Sequence, residues 1–255
     1  MPIKMLVTDL DGTLLRTDKT ISEYTKNVLA KCRARGIKIV YATGRGGSAE
    51  RVTPPGLFDG KITMNGAIAK IDGTIIYNSL IPYETARSLL MACDENGIKI
   101  TSEISGMHYS NFPVTDSWPL LTNYQLTDFS THKLDAEKIY SPNPTPQEKQ
   151  FIEKHIPKGL YSVSTSDITG SLLQIMNKDA TKAKAVAALA HVWNIDPSEI
   201  IAFGDEENDI DMLEYAGVAV AMGNALDEVK AVCGHVCLTN DEDGLARFVE
   251  KIIAT

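Results

Sequence analysis

Two carboxylates, Asp9 and Asp11, stand two residues apart, after the short apolar run 3–7 and just before Gly12. Such a run reads as a buried strand, and Gly12 lets the chain turn sharply at its end. Side chains two apart at a strand end can address one pocket if the chain curls between them. One can then serve as nucleophile or metal ligand while the other handles protons. Asp and Gly are also ordinary turn residues, so on their own they leave a plain strand exit equally open.

Three further clusters repeat the arrangement. Thr43, Gly44 and Arg45 follow the apolar run 37–42, Asn65 and Gly66 follow 61–64, and Asp205, Asn208 and Asp209 follow 200–203. In a parallel sheet all four strand ends share one rim, and that rim is where open α/β sheets bind ligands. A helix opening near Thr181 adds Lys182 from its first turn.

The chemistry such a cluster suits is phosphoryl transfer. A phosphate monoester is a dianion that no carboxylate approaches without neutralisation, and packed carboxylates drive one another toward protonation. A divalent cation answers both problems, and an oxygen-rich pocket facing phosphate suits Mg²⁺. Lys182 would bring a second positive charge. The Thr43 hydroxyl and the backbone N–H groups around Leu10, Asp11 and Gly44 can bind the equatorial oxygens.

Periodicity predicts the elements that position these groups. Ser22 opens and Gly36 stops a helix over 22–35. Runs at 67–71 and 74–77 flank Asp72-Gly73, a hairpin signal. Helices are expected at 181–193, with Ala183, Val186, Ala187 and Ala190 on one face, and at 208–215, 226–232 and 244–253. With a strand at 218–221, the alternation predicts the α/β class and a parallel sheet covered on both faces. Between 82 and 179 the texture changes. Helices at 84–96 and 147–155 and strands at 98–103, 161–164 and 172–176 surround a proline-rich middle read as loops. An inserted α+β domain at 82–179 is expected between the halves of a core at 1–81 and 180–255, because a single domain with such long loops is uncommon.

Asp9-Leu10-Asp11-Gly12-Thr13-Leu14 resembles motif I of the haloacid dehalogenase superfamily of phosphohydrolases. Ala42-Thr43-Gly44-Arg45 is similar to its motif II, Lys182 to its motif III, and Gly204-Asp205-Glu206-Glu207-Asn208-Asp209 to its motif IV. The order and spacing agree, and an insertion between motifs II and III marks a class II cap. With Asn65-Gly66-Ala67 and Met222-Gly223-Asn224-Ala225, the chain most resembles the Cof-type subfamily with a class IIB cap. The likeness covers the core; the cap matches in placement more than in residues.

The resemblance implies a three-layer, Rossmann-like core with the cap inserted, and a Mg²⁺-dependent phosphatase of small phosphate monoesters, sugar phosphates foremost. It implies that Asp9 attacks phosphorus, and that Asp11 protonates the leaving alcohol and then activates water. Mg²⁺ would be held by Asp9, the Asp11 backbone carbonyl and Asp205, with Asp209 behind the metal-bound water. Thr43 and Lys182 would hold the phosphoryl group, and Asn208 would contact phosphate or orient Lys182. Arg45 either clamps substrate or braces the rim, and Asn65 either faces the site or only turns the chain. Motif III reads Lys182-Ala183 where the family commonly has Lys-Gly, with Lys178 and Lys184 nearby. The cap is expected to close over the site, exclude bulk water and select the leaving group.

Bulk properties bound the rest. The chain has 255 residues, 44% hydrophobic and 23% charged, the make-up of a soluble globular protein. A net charge of −8 argues against general nucleic-acid binding, which wants a basic face. The expected partner is a small phosphorylated metabolite, and the protein itself a monomer or weak homo-oligomer. Cys32, Cys93, Cys233 and Cys237 make no framework and read as thiols of a reducing compartment. No signal-like segment precedes Asp9 and no apolar run reaches membrane-spanning length, so a cytoplasmic protein is expected.

Rival readings meet specific obstacles. Residues 44–49 match G-x-G-x-x-A, but the first strand, where a dinucleotide fingerprint belongs, carries the acids, and no acid ends the next strand for a ribose. A phospho-accepting receiver module uses an Asp, a Thr and a Lys at such a rim, yet needs neither Asp11 nor a large insertion. A sugar phosphomutase would use the same intermediate, and differs in keeping water from it. No G-x-S-x-G elbow supports a serine triad. His108 and Trp118 read as packing residues, and Glu206 and Glu207 as a solvated helix start.

Overall fold

A computed structural model describes residues 2–167 and 170–253. In chain order the elements are β1 (Met5–Thr8), α1 (Glu23–Ala34), β2 (Lys38–Ala42), α2 (Ala49–Val52), β3 (Gly60–Thr63), β4 (Ile68–Ile71) and β5 (Thr74–Asn78). Then come α3 (Tyr83–Glu95), β6 (Thr101–Ile104), β7 (Met107–Ser110), β8 (Tyr124–Leu126), β9 (Lys138–Pro142), α4 (Pro146–His155), β10 (Leu160–Asp167) and β11 (Gly170–Asn177). The chain ends with α5 (Lys182–Val192), β12 (Ile200–Gly204), α6 (Ile210–Tyr215), β13 (Val218–Ala221), α7 (Asp227–Val232), β14 (His235–Val236) and α8 (Gly244–Ile253). Two compact units result, one of Met1–Asn78 with Thr181–Thr255 and one of Ser79–Ala180.

The first unit is α/β, with strand order β14-β13-β12-β1-β2-β3-β4-β5. Pairing is parallel from β14 to β3. β1 and β12 are buried along their whole length, as near-continuous apolar runs in a parallel sheet must be. The expectation of a parallel sheet needs one amendment, because β4 and β5 add two antiparallel strands at one edge. Asp72 and Gly73 take left-handed backbone angles (φ 48° and 80°) and close that hairpin in two residues, as the sequence predicts. Helices flank the sheet, α1 packing with α8 and α5 with α6. The Ser22 side chain caps α1 by accepting from the Thr25 amide. α5 buries Lys182, Ala185, Val186, Leu189 and Ala190, so its inward stripe differs from the predicted alanine face.

From β1 the chain runs outward through β2 to β3, and it later returns through β12 to β13 on the other side. The strand order therefore reverses between β1 and β12, where doubly wound sheets place their ligand crevice. Asp9 and Asp205 stand at the carboxyl ends of those two strands.

The second unit carries a six-stranded sheet, β10-β11-β9-β6-β7-β8, over a core that includes Leu89, Leu90, Ile139, Ile152 and Ile175. The expected helices are present, and a Thr145–Glu148 capping box opens α4. The proline-rich middle differs from the loops expected there, since β7, β8 and β9 form within it. Among the described residues no helix is long and apolar enough to cross a membrane.

Candidate active site

The β1–β12 ladder sets the first distances. The Asp9 amide donates to the Phe203 carbonyl at 3.0 Å, which ties the end of β1 to the strand that carries Asp205. Leu10 buries its side chain, so only its backbone can face the rim. Gly12 then turns at φ +78°, and a Cβ there would stand 2.1 Å from Asp205 Oδ2. Only glycine admits the carboxylate so close to the backbone. The Thr13 hydroxyl completes the clasp by donating to Asp205 Oδ1 at 2.5 Å.

Lys182 enters from the far side of the rim. At Gly66 (φ +99°) a Cβ would stand 2.1 Å from the Thr181 carbonyl oxygen, so the turn after β3 presses directly on the start of α5. The Thr181 side chain caps α5 by accepting from the Lys184 amide. In the first turn Lys182 projects inward, and its Nζ donates to Asp9 Oδ1 at 2.7 Å and to Asp209 Oδ1 at 2.5 Å. Lys184 points to solvent and Lys178 lies in the second unit, so Lys182 is the lysine at Asp9. Asp209 Oδ2 accepts from the amides of Asp205 (2.9 Å) and Glu206 (3.1 Å). Both oxygens of Asp209 are thereby committed to holding the cluster together.

Burial sets the electrostatics. Asp9, Asp205, Asp209 and Lys182 are 6%, 8%, 0% and 1% exposed. Loss of solvent pushes the Asp9 carboxyl well above the usual carboxylate range against the pull of Lys182, and Asp209 and Asp205 push the same way. Burial likewise pushes Asp205 up to about 7, with the Thr13 hydroxyl opposing and Asp209 adding. The ammonium of Lys182 is penalised by burial, yet Asp209 and Asp9 more than repay it and hold it above its ordinary value.

Asp11 is held differently. Arg45 grips its carboxylate with two nitrogens, Nη2 to Oδ1 at 2.7 Å and Nε to Oδ2, and Lys19 Nζ donates to Oδ1 at 2.7 Å. Partial burial favours the neutral acid, but the hydrogen bonds from Arg45 and Lys19 win and lower its pKa to about 2. Arg45 therefore braces the rim, one of its two expected uses. Thr43 is buried at the end of β2, its hydroxyl accepting from the Arg45 amide at 3.1 Å. Gly44 lies against Asn65, whose Oδ1 accepts from Asn208 Nδ2 at 3.0 Å. Asn65 and Asn208 thus meet each other, and the structure records no bond from Asn208 to Lys182 among the described residues.

Sequence reasoning does not single out Lys19 or the clasp of Thr13 on Asp205. Thr13 stands inside the first motif, whereas Lys19 lies in a turn and carries no signal of its own. Asn224 is a further tie, donating from Nδ2 to the Gly12 carbonyl at 2.8 Å. His108 hydrogen-bonds Tyr140 and Trp118 packs edge-on against the same ring, so both are packing residues of the second unit.

One oxygen each from Asp9, Asp205 and Asp209 lies within 4.8 Å of the others. The donors are all oxygen, which suits a small hard cation. Two carboxyls that burial and neighbouring acids push toward protonation fit one as well.

The match to known proteins follows the same residues. The model of the haloacid dehalogenase-like hydrolases matches residues 6–249. The chain belongs to that family. A Haemophilus influenzae relative is 30% identical over 98% of each chain. A Bacillus subtilis relative, 26% identical over 97% of this chain and 96% of its own, is 5-amino-6-(5-phospho-D-ribitylamino)uracil phosphatase YitU. A solved sugar phosphatase of haloacid dehalogenase subclass IIB superposes with a TM-score of 0.77, at 26% identity and 98% coverage of both chains. Within the family the chain is a phosphatase of the Cof type, a phosphoric monoester hydrolase.

Proposed function

We propose that this phosphatase hydrolyses small phosphate monoesters, sugar phosphates among them, with Mg²⁺ and through a phosphorylated Asp9. The observation that carries the reading is Lys182, buried and bonded to both Asp9 and Asp209 beside Asp205. A carboxylate kept at a strand tip by a desolvated ammonium is positioned for attack rather than for support. Asp9, the Asp11 backbone carbonyl and Asp205 would hold the cation, since Asp209 already spends both oxygens on its neighbours. When bound, Mg²⁺ supplies the charge neutralisation that a dianionic ester needs beside these acids.

In the first half-reaction an Asp9 oxygen bonds to phosphorus while the ester P–O bond breaks, and Asp11 gives its proton to the departing alkoxide. In the second, Asp11 takes a proton from water as that water attacks phosphorus, and the bond to Asp9 breaks. Arg45 and Lys19 keep Asp11 in its base form, so release from them prepares the acid form. Lys182, the Thr43 hydroxyl and backbone amides after β1 and β2 would take the phosphoryl oxygens. The inserted segment, expected at 82–179, would select the leaving group. Support for phosphorylated polyols comes from the two named relatives, one acting on a ribityl phosphate and the other on sugar phosphates.

Asp9→Asn tests the assignment. Phosphate release from p-nitrophenyl phosphate with Mg²⁺ should fall by about 10⁴-fold or more while circular dichroism is unchanged. Wild-type turnover in that variant would remove Asp9 as the nucleophile.

A further inference from the structure

Residues 9–22 join β1 to α1, a long connection for two neighbouring elements. It carries Asp9, Asp11 and Thr13, and Gly12 (φ 78°) gives its backbone freedom just where those side chains must be held. Within the loop the Leu10 carbonyl accepts from the Leu15 amide at 2.7 Å and from the Thr13 amide at 3.4 Å, which closes a turn over 10–15. Two further carbonyls of that turn, those of Gly12 and Leu15, accept from asparagines 212 and 225 positions further along the chain.

Asn240 reaches both. Its Nδ2 donates to the Leu15 carbonyl at 2.9 Å in a buried bond. Its backbone amide donates to Asn224 Oδ1 at 3.0 Å, and that orients the second carboxamide so that Asn224 Nδ2 donates to the Gly12 carbonyl at 2.8 Å. An asparagine side chain can give a proton to a carbonyl while accepting one from an amide, which neither a carboxylate nor an alanine can do. The neighbours of Asn240 continue the seam, Asp243 accepting from Arg16 Nη2 at 2.7 Å and Asp241 from the Thr17 amide at 2.8 Å. The segment that carries them is stiff. Thr239 and Glu242 form a capping box across it, and the Gly244 amide closes it on the Thr239 carbonyl at 3.0 Å. Gly223, beside Asn224, lies so close that a Cβ there would stand 2.9 Å from the Thr239 nitrogen. The two asparagines thus sit on one braced clip, and the turn over 10–15 hangs from it by two carbonyls.

Given Asp11 as the proton carrier proposed above, we infer that Asn240 is a positioning residue for phosphate release. It touches no reacting atom. Through Leu15, and through Gly12 by way of Asn224, it fixes the turn from which Asp11 and Thr13 project, and Thr13 in turn clasps Asp205. A reacting group displaced by about 1 Å can lose about 10²-fold in rate while substrate binding is kept.

Steady-state kinetics and amide hydrogen exchange of the full chain test this. Asn240→Ala should lower kcat on p-nitrophenyl phosphate with Mg²⁺ by about 10–100-fold and change KM by less than about twofold. Asn224→Ala, at an exposed position that leaves the core untouched, should lower kcat about tenfold. The double variant should be no slower than Asn240→Ala alone, because both residues act on one turn. In each single variant the amides of residues 13–17 should exchange about tenfold faster while those of β12 stay protected. A kcat within about twofold of the wild type in Asn240→Ala overturns the inference. So does unchanged exchange over 13–17, or exchange that quickens equally in β12, which would make Asn240 a residue of general stability. None of these results touches the role of Asp11, which Asp11→Asn reads separately. If Asp11→Asn turns over like the wild type, the proton carrier is lost and the positioning role falls with it.

Discussion

The acid cluster has a buried half and an open half, and they are held by different physics. Asp9, Asp209 and Lys182 are desolvated, and each answers for the charge of another. Asp11 has a side chain 36% exposed, and of its two cationic partners Lys19 is 51% exposed. A buried pair that loses one member leaves a bare charge in low dielectric, which is strongly destabilising. A solvated pair that opens finds water instead. The group proposed to attack is therefore fixed, and the group proposed to carry protons can let go.

Lys182→Met breaks this contrast most sharply. It strands Asp9 and Asp209 together, so stability should drop by about 3–5 kcal/mol in urea unfolding. Turnover should fall by about 10²–10³-fold beyond any loss of folded protein. Adding Asp209→Asn should restore part of the stability and none of the rate, because it removes a stranded charge without replacing the cation at Asp9. A rate restored with the stability would mean that Lys182 only holds the fold together.

The buried half was also the more legible one. Asp9, Thr43, Asp205 and Lys182 follow apolar strands or open a helix, and a parallel sheet brings such positions to one rim whatever the loops do. Arg45 was legible as a rim residue but not as the partner of Asp11, because which acid an arginine grips depends on loop geometry that periodicity does not carry. Lys19 was invisible for the same reason. In the second unit the helices at 84–96 and 147–155 were readable from spacing and capping. β7, β8 and β9 were not, since strands of three to five residues among prolines show too few alternations to be told from loops.

Cation removal probes the boundary between the halves. A carboxyl raised in the fold contributes stability at low pH that is lost as pH rises through its folded value. The metal-free protein should therefore lose the Asp205 contribution progressively from about pH 4, where the unfolded carboxyl ionises, up to pH about 7, where the buried one does. Mg²⁺ pairs with the ionised form, so the rise in Tm on adding Mg²⁺ to chelator-treated protein should grow from about pH 6 to about pH 8. Phosphate release should return with it. An increment independent of pH would place the cation away from Asp205.

The open half should respond least. Lys19→Met removes an exposed pair worth about 0–1 kcal/mol, so unfolding should barely move. Its kinetic signature should be specific even so. Without Lys19 the Asp11 carboxyl loses one of the two partners that depress it and moves up from about 2 toward its ordinary value. Because Asp11 must be ionised to take the proton from water in the second half-reaction, and a depressed carboxyl stays ionised down to its folded pKa, the acid limb of the single-turnover dephosphorylation rate should shift to higher pH, while kcat near neutrality changes less than about tenfold. Lys19→Arg should restore the original limb by restoring the bond. A loss in Lys19→Met as large as that in Lys182→Met would show that Asp11 is held as firmly as Asp9, and the division between a fixed attacking group and a releasable proton carrier would no longer stand.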